Sequence, residues 1–401
     1  MNIREKNTDV FIPEYALKVM RALWNEGEEV YIVGGCVRDS LLGIKPHDYD
    51  MAVSCEPHRT LEILKDFRTI ETGIKHGTVT AISEKNPIEL TTFRIDGSYS
   101  DSRRPDSVSF TRSLKDDLSR RDFTVNAMAY EPREGLIDLF GGREDISKKI
   151  VRAVGNPKKR FEEDALRIMR AFRFSAQLGF DIDHDTLNAA RETSHRLANI
   201  AKERILSEFV RLICSSNPYK PLCLMKELGI FTYVCDGYAP SDRVLSLLEL
   251  MPTIDTARLG FFLCEADEKR GADILRALKC SNKQKNGALI VSREAHTPIK
   301  TKKDAALLRS RSGELALSAV TASVLLGKSL QDAVSLVSQN NAPVSISELA
   351  IDGSALCDLG LSGKEIGQTL HYLLDAVIEQ PELNTKDILL EMAKKRIIEG
   401  E

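Results

Sequence analysis

The sequence predicts an N-terminal α/β domain followed by a long all-α region, and two observations lead to that fold class. Up to about residue 150, short strand-like runs alternate with helical segments and glycine-rich turns. Beyond it, Leu, Ile and Ala recur every three or four residues, strand signals almost vanish, and helix breaks are expected at residues such as Gly179 and Pro252. At 401 residues, the chain is long enough for several domains with separate cores.

Composition is typical of a soluble globular protein. Hydrophobic residues make up 42% and charged residues 29% of the sequence, and no apolar run approaches the ~18 residues of a membrane span. The net charge of −3 leaves nucleic-acid binding open, because such binding needs a local basic face and not a basic total. The eight cysteines are scattered without a C-x-x-C pair, and no signal peptide is recognisable. This pattern predicts reduced thiols in a cytoplasmic protein and excludes a disulfide framework or a zinc site.

Each element of the first 150 residues has a local signal. Pro13 begins an amphipathic helix predicted over 13–25, and another helix is expected over 57–66. Between them, an apolar strand leads to a Gly-Gly turn at 34–35, a short helix that starts at Cys36, and a second strand. The later strand-like runs are 67–71, 78–83, 88–93 and 125–130.

Two acidic residues after the glycine turn form the first candidate site. Asp48 and Asp50 are expected on the second strand, where side chains two apart point to the same face. Paired carboxylates are costly unless a cation lies between them, and oxygen ligands favour Mg²⁺, while the turn offers N–H groups to a phosphate. Glu89 would add a third carboxylate if the two strands pair, and such a site fits nucleotidyl transfer. A surface Asp-x-Asp turn and an exposed strand glutamate are the alternatives.

The second candidate site is the run Arg120, Arg121 and Asp122, just before a strand-like segment. The cations would contact a triphosphate and the carboxylate a ribose hydroxyl. Alternatively, the arginines end a helix and interact with its dipole. The spacing alone does not decide between these interpretations.

A helix predicted over 160–173 carries the third candidate site. Asp164, Arg167, Arg170 and Arg173 recur every three residues and form one slanting row. A carboxylate accepts a hydrogen bond from the amino group of cytosine or adenine, and a guanidinium donates to the neighbouring ring acceptor, whereas uracil and guanine present a carbonyl oxygen instead of the amino group. The row would therefore select C and A without a template if the helix faces the metal site. An ordinary Asp164–Arg167 ion pair on a solvated face is the alternative.

Four motifs follow one another along the first half of the chain. They are Gly34-Gly35-x-Val37-Arg38-Asp39 with Asp48-x-Asp50, Arg120-Arg121-Asp122-Phe123-Thr124-x-Asn126-Ala127, Asp138-x-x-Gly141-Gly142, and Glu163-Asp164-x-x-Arg167. These motifs in this order resemble those of the bacterial class II tRNA nucleotidyltransferases, or CCA-adding enzymes. This family is a branch of the DNA polymerase beta superfamily and shares its head with bacterial poly(A) polymerases. The resemblance is specific over residues 30–180. Beyond 210 it rests on a helical body and a stretch near 349–354 followed by Gly363.

The resemblance implies a fold of four consecutive parts. It implies a polymerase-beta-like α/β head with a mixed sheet over 1–149, which catalyses the reaction. An elongated all-α region follows, with a nucleotide-selecting neck over 150–211, a body over 212–280, and a tRNA-binding tail over 281–401.

The same resemblance implies roles for individual residues. Mg²⁺ would be held by Asp48 and Asp50, with Glu89 as a further catalytic candidate. The nucleotide would be bound by Gly34, Gly35, Arg38, Arg121, Asp122, Asp164, Arg167, Arg170 and Arg173.

The expected reaction is addition of C, C and A to tRNA 3′ ends from CTP and ATP, with release of pyrophosphate. Family members that add only CC have a shortened loop, but the corresponding segment here, 94–108, is full length. An A-adding enzyme or a poly(A) polymerase stays open. A catalytically silent RNA-binding protein is the alternative of another class, and the intact Asp48 and Asp50 argue against it. The dipeptide His184-Asp185 is interpreted as a polar turn, because no second metal-binding cluster accompanies it.

The tRNA acceptor end would be bound by basic residues of the helical region. Over 151–211, Lys and Arg outnumber Asp and Glu in an otherwise acidic chain. Phosphate contacts of this kind predict salt-sensitive, shape-based binding and not base readout. For each residue, a solvated helix face is the alternative, and the oligomeric state stays open. The candidates are Lys158, Lys159, Arg160, Lys202, Arg204, Lys300, Lys302, Lys303, Arg309, Arg311, Lys394, Lys395 and Arg396.

Overall fold

In a computed structural model of the chain, the described residues are 10–97, 108–340 and 343–399. The chain folds into two compact units, one of Met1–Leu212 with Lys220–Gly237 and the other of Ile213–Tyr219 with Tyr238–Glu401. All predicted catalytic and nucleotide-binding residues belong to the first unit. The four-part division at residues 149, 211 and 280 stays a prediction.

A seven-stranded mixed sheet forms the first part of the chain and confirms the predicted fold class. The strands of this sheet are β1 (Val30–Val33), β2 (Met51–Val53), β3 (Arg68–Ile70), β4 (Thr78–Ser83), β5 (Asn86–Thr92), β8 (Met128–Glu131) and β9 (Gly135–Asp138). The other described strands are β6 (Arg94–Asp96), β7 (Val108–Phe110), β10 (Ile150–Val151) and β11 (Asp181–Ile182). The sheet order is β3-β4-β5-β2-β1-β8-β9, in which β2 and β5 pair in parallel and the other neighbours antiparallel.

Two short strand pairs lie outside this sheet. β6 and β7 pair antiparallel at the two ends of segment 94–108, whose length was the argument against CC-only addition. Residues 98–107 of that segment lie outside the described residues. β10 and β11 pair in parallel within the region that the periodicity predicts to be helical.

In the described part of this region, the α-helices that accompany the sheet are α1 (Glu14–Asn25), α2 (Gly35–Leu41), α3 (Pro57–Ile63), α4 (Leu114–Ser119) and α5 (Gly142–Lys148). In α1, Val19, Met20 and Leu23 are fully buried and share a core with Ile32 and Met51 of the sheet. This apolar stripe at helical spacing explains why the helix forms, and each such buried side chain contributes roughly 1.5–3 kcal/mol.

The strand predicted over 125–130 is wrong in its first half. Residues Thr124–Asn126 form a single turn of 3₁₀-helix, and β8 begins only at Met128. The physical reason is side-chain hydrogen bonding, because Thr124 donates to Asp145 at 2.6 Å and Asn126 donates to Asp122 at 3.2 Å. Such bonds compete with a strand ladder.

The remaining helices up to residue 237 are α6 (Pro157–Glu163), α7 (Leu166–Leu178), α8 (His184–Thr193), α9 (Lys202–Ile213), α10 (Tyr219–Glu227) and α11 (Phe231–Val234). The single helix predicted over 160–173 is therefore wrong. The chain is extended at Asp164 (φ −138°, ψ 103°), and the Asp164 carboxylate accepts the Leu166 N–H at 3.0 Å. The predicted break at Gly179 is present, with a left-handed φ of 67°.

The second unit is helical in its described residues. Its helices after α11 are α12 (Asp242–Leu247), α13 (Asp255–Phe262), α14 (Glu268–Ala277), α15 (Asn282–Glu294), α16 (Lys302–Ser312), α17 (Ala316–Leu325), α18 (Ala333–Ser338), α19 (Gly353–Cys357), α20 (Lys364–Glu379) and α21 (Lys386–Glu399). None of the described helices has both the length and the apolar character needed to cross a membrane.

Candidate functional site

A sharp turn between β1 and α2 opens the site. Gly34 precedes α2 with a φ of 78°, a left-handed conformation that favours glycine. A Cβ at Gly34 would lie 3.1 Å from Nη1 of Arg121, and one at Gly35 would lie 3.5 Å from Nη2 of Arg38. Glycine at position 34 therefore lets the Arg121 guanidinium approach the backbone of the turn closely, whereas the contact at position 35 would be an ordinary one.

Two predicted catalytic carboxylates are neighbours across the parallel strand pair. β2 and β5 pair with Met51 opposite Leu90, so Asp50 and Glu89 occupy adjacent positions one residue earlier. The strand pairing that the Glu89 hypothesis required is present.

Asp48 and Asp50 do not lie within a strand, contrary to the prediction. β2 begins at Met51, because its partner β1 ends at the Gly34 turn, although Val33 N–H still donates to the Asp50 carbonyl at 3.0 Å. The segment is nevertheless extended, with a buried tyrosine between the two exposed aspartates. This alternation places both carboxylates on the same face.

Negative charge accumulates around Asp50. The residue is exposed on one side, but desolvation by the surrounding protein and the charge of Glu89 raise the pKa of its carboxyl group to about 6. The Arg121 guanidinium lowers the pKa of Asp50, and the charge of Asp48 raises it by a smaller amount. A raised pKa is expected for a partly desolvated carboxyl group that has too few cationic neighbours. An all-oxygen donor set of this kind suits a hard divalent cation. Within the described ranges, no three acidic, histidine or cysteine side chains already form a metal-binding group.

A buried carboxylate holds the adjacent arginines of the second motif. Asp117 is fully buried and accepts hydrogen bonds from Arg120 at 2.6 Å and Arg121 at 3.0 Å. Burial alone would raise the pKa of Asp117, but the two guanidinium groups outweigh it and lower the pKa. The buried Nε of Arg121 has no hydrogen-bond partner among the described residues. Because an unsatisfied buried donor is costly and Arg121 lines the cavity described below, this atom is suited to an acceptor on a ligand.

Asp122 connects the second motif with α7. Its Oδ2 accepts a hydrogen bond from Nε of Arg170 at 2.8 Å, and its Oδ1 accepts from Asn126 at 3.2 Å. Burial would raise the pKa of Asp122, but the Arg170 guanidinium lowers it to about 2. Asn126 in turn accepts a hydrogen bond from Arg38 at 2.6 Å. Asn126 belongs to the second motif but was not predicted as a site residue. It links Arg38, which follows the glycine turn, to Asp122.

Asp164 and Arg167 do not form the ion pair of the alternative interpretation. Asp164 Oδ2 accepts a hydrogen bond from Nη2 of Arg204 at 3.0 Å. Arg167 donates to Glu163 at 2.8 Å and to two backbone carbonyls at 3.1 and 3.0 Å. Arg167 is only 8% exposed and therefore does not lie on a solvated face.

Three guanidinium groups surround the ring of Phe174, which sequence reasoning did not single out. The distances to the ring centroid are 5.2 Å from Arg38, 5.4 Å from Arg170 and 3.9 Å from Arg173, within the range of cation–π attraction. Arg173 is buried and also donates to Glu208. Arg170 and Arg173 also lie beside the same carboxylate, that of Glu208.

These groups line one cavity of about 420 Å³, in which six arginines outnumber three aspartates. An excess of cationic side chains suits a polyanionic ligand. Among the predicted site residues, Asp48, Glu89 and Arg173 do not line the cavity. The lining residues are Gly34, Gly35, Arg38, Asp50, Arg120, Arg121, Asp122, Asn126, Asp164, Leu166, Arg167, Arg170, Phe174 and Arg204.

Helix α9 contributes two residues whose place the sequence did not reveal. Arg204 was predicted to contact tRNA phosphates, but it lines the cavity and pairs with Asp164. Glu208, one helical turn later, is buried and pairs with Arg173. Two charges at i and i+4 in an amphipathic helix were the available signal, but the same spacing is common on solvated faces.

Several other tRNA candidates lie at the surface. Lys159, Lys300, Lys302, Lys394 and Lys395 are exposed. His184 and Asp185 are also exposed, at 84% and 82%, and lie in the first turn of α8.

Family models match three consecutive regions of the chain. The Poly A polymerase head domain matches residues 30–152, the "probable RNA and SrmB-binding site of polymerase A" matches 179–240, and tRNA nucleotidyltransferase domain 2 matches 255–393. The row that begins at Asp164 falls between the first two matches.

Similar proteins match over nearly their full length. The CCA-adding enzyme of Ligilactobacillus salivarius is 36% identical over 393 residues, covering 96% of both chains. The CCA-adding enzyme of Enterococcus faecalis is 37% identical over 398 residues, covering 96% of this chain and 97% of the relative. Among solved structures, the Bacillus stearothermophilus CCA-adding enzyme in complex with CTP superimposes with a TM-score of 0.81 at 31% identity, covering 96% of this chain and 98% of that one.

Proposed function

This chain belongs to the CCA-adding enzymes, a family of tRNA nucleotidyltransferases, and on that premise we propose that it adds C, C and A to tRNA 3′ ends from CTP and ATP, releasing pyrophosphate. The observation that carries the proposal is the single cavity lined by residues of three motifs. Asp50 and Arg121 suit the triphosphate and its metal, while Asp164 and Arg167 suit the edge of a base. A protein pair that reads the base removes the need for a template strand.

Enzymes of this class use divalent metal ions, and we propose Mg²⁺ held by Asp48 and Asp50. The residues fit, because desolvation and the charge of Glu89 raise the pKa of Asp50, and a bound cation would favour the ionised carboxylate. Mg²⁺ is commonly bound by one or two carboxylates together with substrate phosphates, which suits a site without three ready protein ligands. When bound, the cation would lower the pKa of the attacking ribose hydroxyl and offset charge on the leaving pyrophosphate. Glu89 is adjacent to Asp50 and is proposed as a further catalytic carboxylate.

The triphosphate would be bound by the arginines nearest the glycine turn. Arg121 is held by Asp117 and keeps an unpaired Nε–H, and Arg38 is fixed by Asn126. Both guanidinium groups are thus ordered before the nucleotide arrives, so little conformational entropy is lost on binding. Gly34 and Gly35 let the phosphates approach the backbone.

Base selection is assigned to Asp164 and Arg167. The carboxylate would accept from the amino group of cytosine or adenine, and the guanidinium would donate to the adjacent ring nitrogen. UTP and GTP would place a carbonyl oxygen against the carboxylate and be rejected. Arg170 and Asp122 would complete the pocket, and Arg173 would support it through its contact with the Phe174 ring.

The tRNA acceptor end is the proposed second substrate. The head over 1–149 would supply the chemistry and the neck over 150–211 the base selection, while the body and the tail over 281–401 would bind tRNA through exposed lysines such as Lys394. A cytoplasmic location is proposed from the scattered cysteines.

The decisive experiment supplies three tRNAs, ending before CCA, after C and after CC, with each NTP and Mg²⁺. We expect CMP incorporation into the first two and AMP incorporation only into the third. Failure to incorporate CMP, with AMP added after CC, would favour an A-adding enzyme. Repeated AMP addition without CMP incorporation would favour a poly(A) polymerase, and no incorporation at all would favour a silent RNA-binding protein.

A further inference from the structure

We propose that Arg204 is a positioning residue for base selection, which fixes the Asp164 carboxylate in the orientation that reads the amino group of the base. The inference rests on the proposed function, because this orientation matters only if the cavity takes a nucleotide. It replaces the prediction that Arg204 contacts tRNA phosphates.

The two oxygens of Asp164 are held by different partners. Oδ1 accepts the Leu166 N–H at 3.0 Å, and Oδ2 accepts from Nη2 of Arg204 at 3.0 Å. Each carboxylate oxygen accepts about two hydrogen bonds, so one site on each stays available for a ligand. The two fixed bonds define the plane of the carboxylate and hence the direction of its remaining lone pairs.

The backbone does not fix this side chain by itself. Asp164 lies between α6 and α7 in an extended conformation, outside either helix. The Leu166 N–H restrains only one oxygen, about which the carboxylate can still rotate. Arg204, forty residues away on α9, supplies the second restraint.

Arg204 is not fully satisfied by the protein. It lines the cavity, and its Nη1 is buried without a hydrogen-bond partner in the part of the chain that the structure describes. An arginine that served only packing or stability would be expected to use its buried donors within the fold. The unpaired Nη1 is instead available to an acceptor in the cavity.

The neighbouring Glu208 holds α9, the helix that carries Arg204, against α7. Arg204 and Glu208 are four residues apart on α9, and Glu208 pairs with Arg173 of α7. Helix α9 therefore contributes an arginine that pairs with Asp164 and a glutamate that pairs with Arg173. This alternation fixes α9 against the base-selecting row, with Arg204 aligned to Asp164.

The test compares Arg204→Ala, Arg204→Lys and wild type in single-nucleotide incorporation with CTP and with UTP. We expect Ala to lower the ratio of kcat/KM for CTP over UTP about tenfold, the effect of one charge-assisted hydrogen bond, mainly by weakening CTP use. Lys keeps one donor and the charge and should recover part of the ratio. The matched control is Arg211→Ala, an exposed arginine on the same helix, which should leave the ratio unchanged.

A double-mutant cycle separates positioning from a direct contact. If Arg204 acts through Asp164, then Arg204→Ala causes no further loss of selectivity in an Asp164→Ala background. Calorimetric titration of CTP and UTP without tRNA should show the same change in relative affinity, independently of turnover. Circular dichroism shows whether each variant is folded. If Arg204→Ala does not fold, the comparison of Arg204→Lys with wild type provides the test.

Two results would overturn the proposal. An equal loss for CTP and UTP in Arg204→Ala would assign Arg204 a purely structural role, and an additive loss of selectivity in the Asp164→Ala background would mean that it acts independently of Asp164. Failure of the proposed function is recognisable separately, because wild-type protein would then incorporate no CMP.

Discussion

Replacing Asp122 with asparagine would remove one charge from the centre of the site while keeping the shape of the side chain. The Asp122 carboxylate is only 9% exposed and is paired with Arg170. In the variant, the nearest described counter-charge to Arg170 would be Glu208, whose Oε1 lies 3.9 Å from Nη1. The guanidinium, which is 34% exposed, would be left partly uncompensated, so we expect the first unit to be destabilised, by less than the loss of a fully buried pair would cause.

The magnitude follows from the pKa of Asp122. A decrease from the ordinary value of 3.8 to about 2 corresponds to roughly 2.5 kcal/mol in favour of the charged form. Breaking a buried pair by removing one partner typically costs about 3–5 kcal/mol. We therefore expect the free energy of unfolding at pH 7 to fall by about 2–4 kcal/mol.

The pH dependence has a defined sign. Above about pH 4, Asp122 is ionised in both the folded and the unfolded chain, and its stabilising contribution is complete. As the pH falls towards 2, the folded carboxyl group takes up its proton and the contribution disappears. The difference between wild type and Asp122→Asn should therefore be constant from neutral pH to about 5 and shrink below about 4.

Urea titration followed by tryptophan fluorescence would measure this change. Trp24 is the only tryptophan of the sequence and packs against the core of the sheet, in the same unit as Asp122. The centroid of its ring lies 4.4 Å from Cζ of Arg133. The control Asp185→Asn removes an exposed carboxylate and should leave the free energy of unfolding unchanged. Equal stability of wild type and Asp122→Asn at pH 7, or a difference that grows towards acid, would refute the reasoning.

Three further predictions concern activity. Asp48→Asn and Asp50→Asn should each abolish CMP incorporation while tRNA binding persists in a gel-shift assay, and normal turnover in either would contradict the metal assignment. Asp164→Ala should lose at least about tenfold of the preference for CTP and ATP over UTP and GTP, measured as kcat/KM ratios, and unchanged selectivity would remove Asp164 from base reading. Because the pKa of Asp50 is raised to about 6, incorporation at limiting Mg²⁺ should fall as the pH drops through 6 and recover with more Mg²⁺, whereas a flat profile between pH 5 and 8 would contradict competition between proton and metal.

The sequence could predict the components of the site but not how they meet. Local patterns alone gave three separate candidate sites, around Asp50, Arg121 and Asp164, and only the resemblance to a family joined them. Their convergence depends on contacts between segments distant in sequence, namely the β2–β5 pairing and the bond from Asp122 to Arg170 of α7. Periodicity reports which face of an element is buried, but it carries no information about the partner of that face.

The misplaced helix boundary at Asp164 has the same origin. The segment from 160 to 173 has good helix-forming residues and a regular charge spacing, so a continuous helix was the expected outcome. The break is stabilised by the local bond to the Leu166 N–H and by Arg204, which is distant in sequence. A tertiary contact of this kind overrides a small local preference. The position of Arg204, predicted as a tRNA phosphate contact, and that of Glu208 could not be predicted for a related reason. Charges on a helix are usually exposed, and only the folded chain shows that Arg204 lines the cavity and that Glu208 is buried.

The ion pairs of the site have a common design that bears on catalysis. Asp117 holds Arg121, Asp122 holds Arg170, and in the third pair Arg204 holds Asp164. The last two pairs join elements that are separate in the fold, so the functional groups are oriented by contacts outside their own helix or strand. Groups fixed in this way need little reorganisation when a ligand binds, so the proposed base selection would rely on charges that are already in place. It follows from the proposed roles that loss of Arg204 should alter which nucleotide is used before it alters whether tRNA is bound.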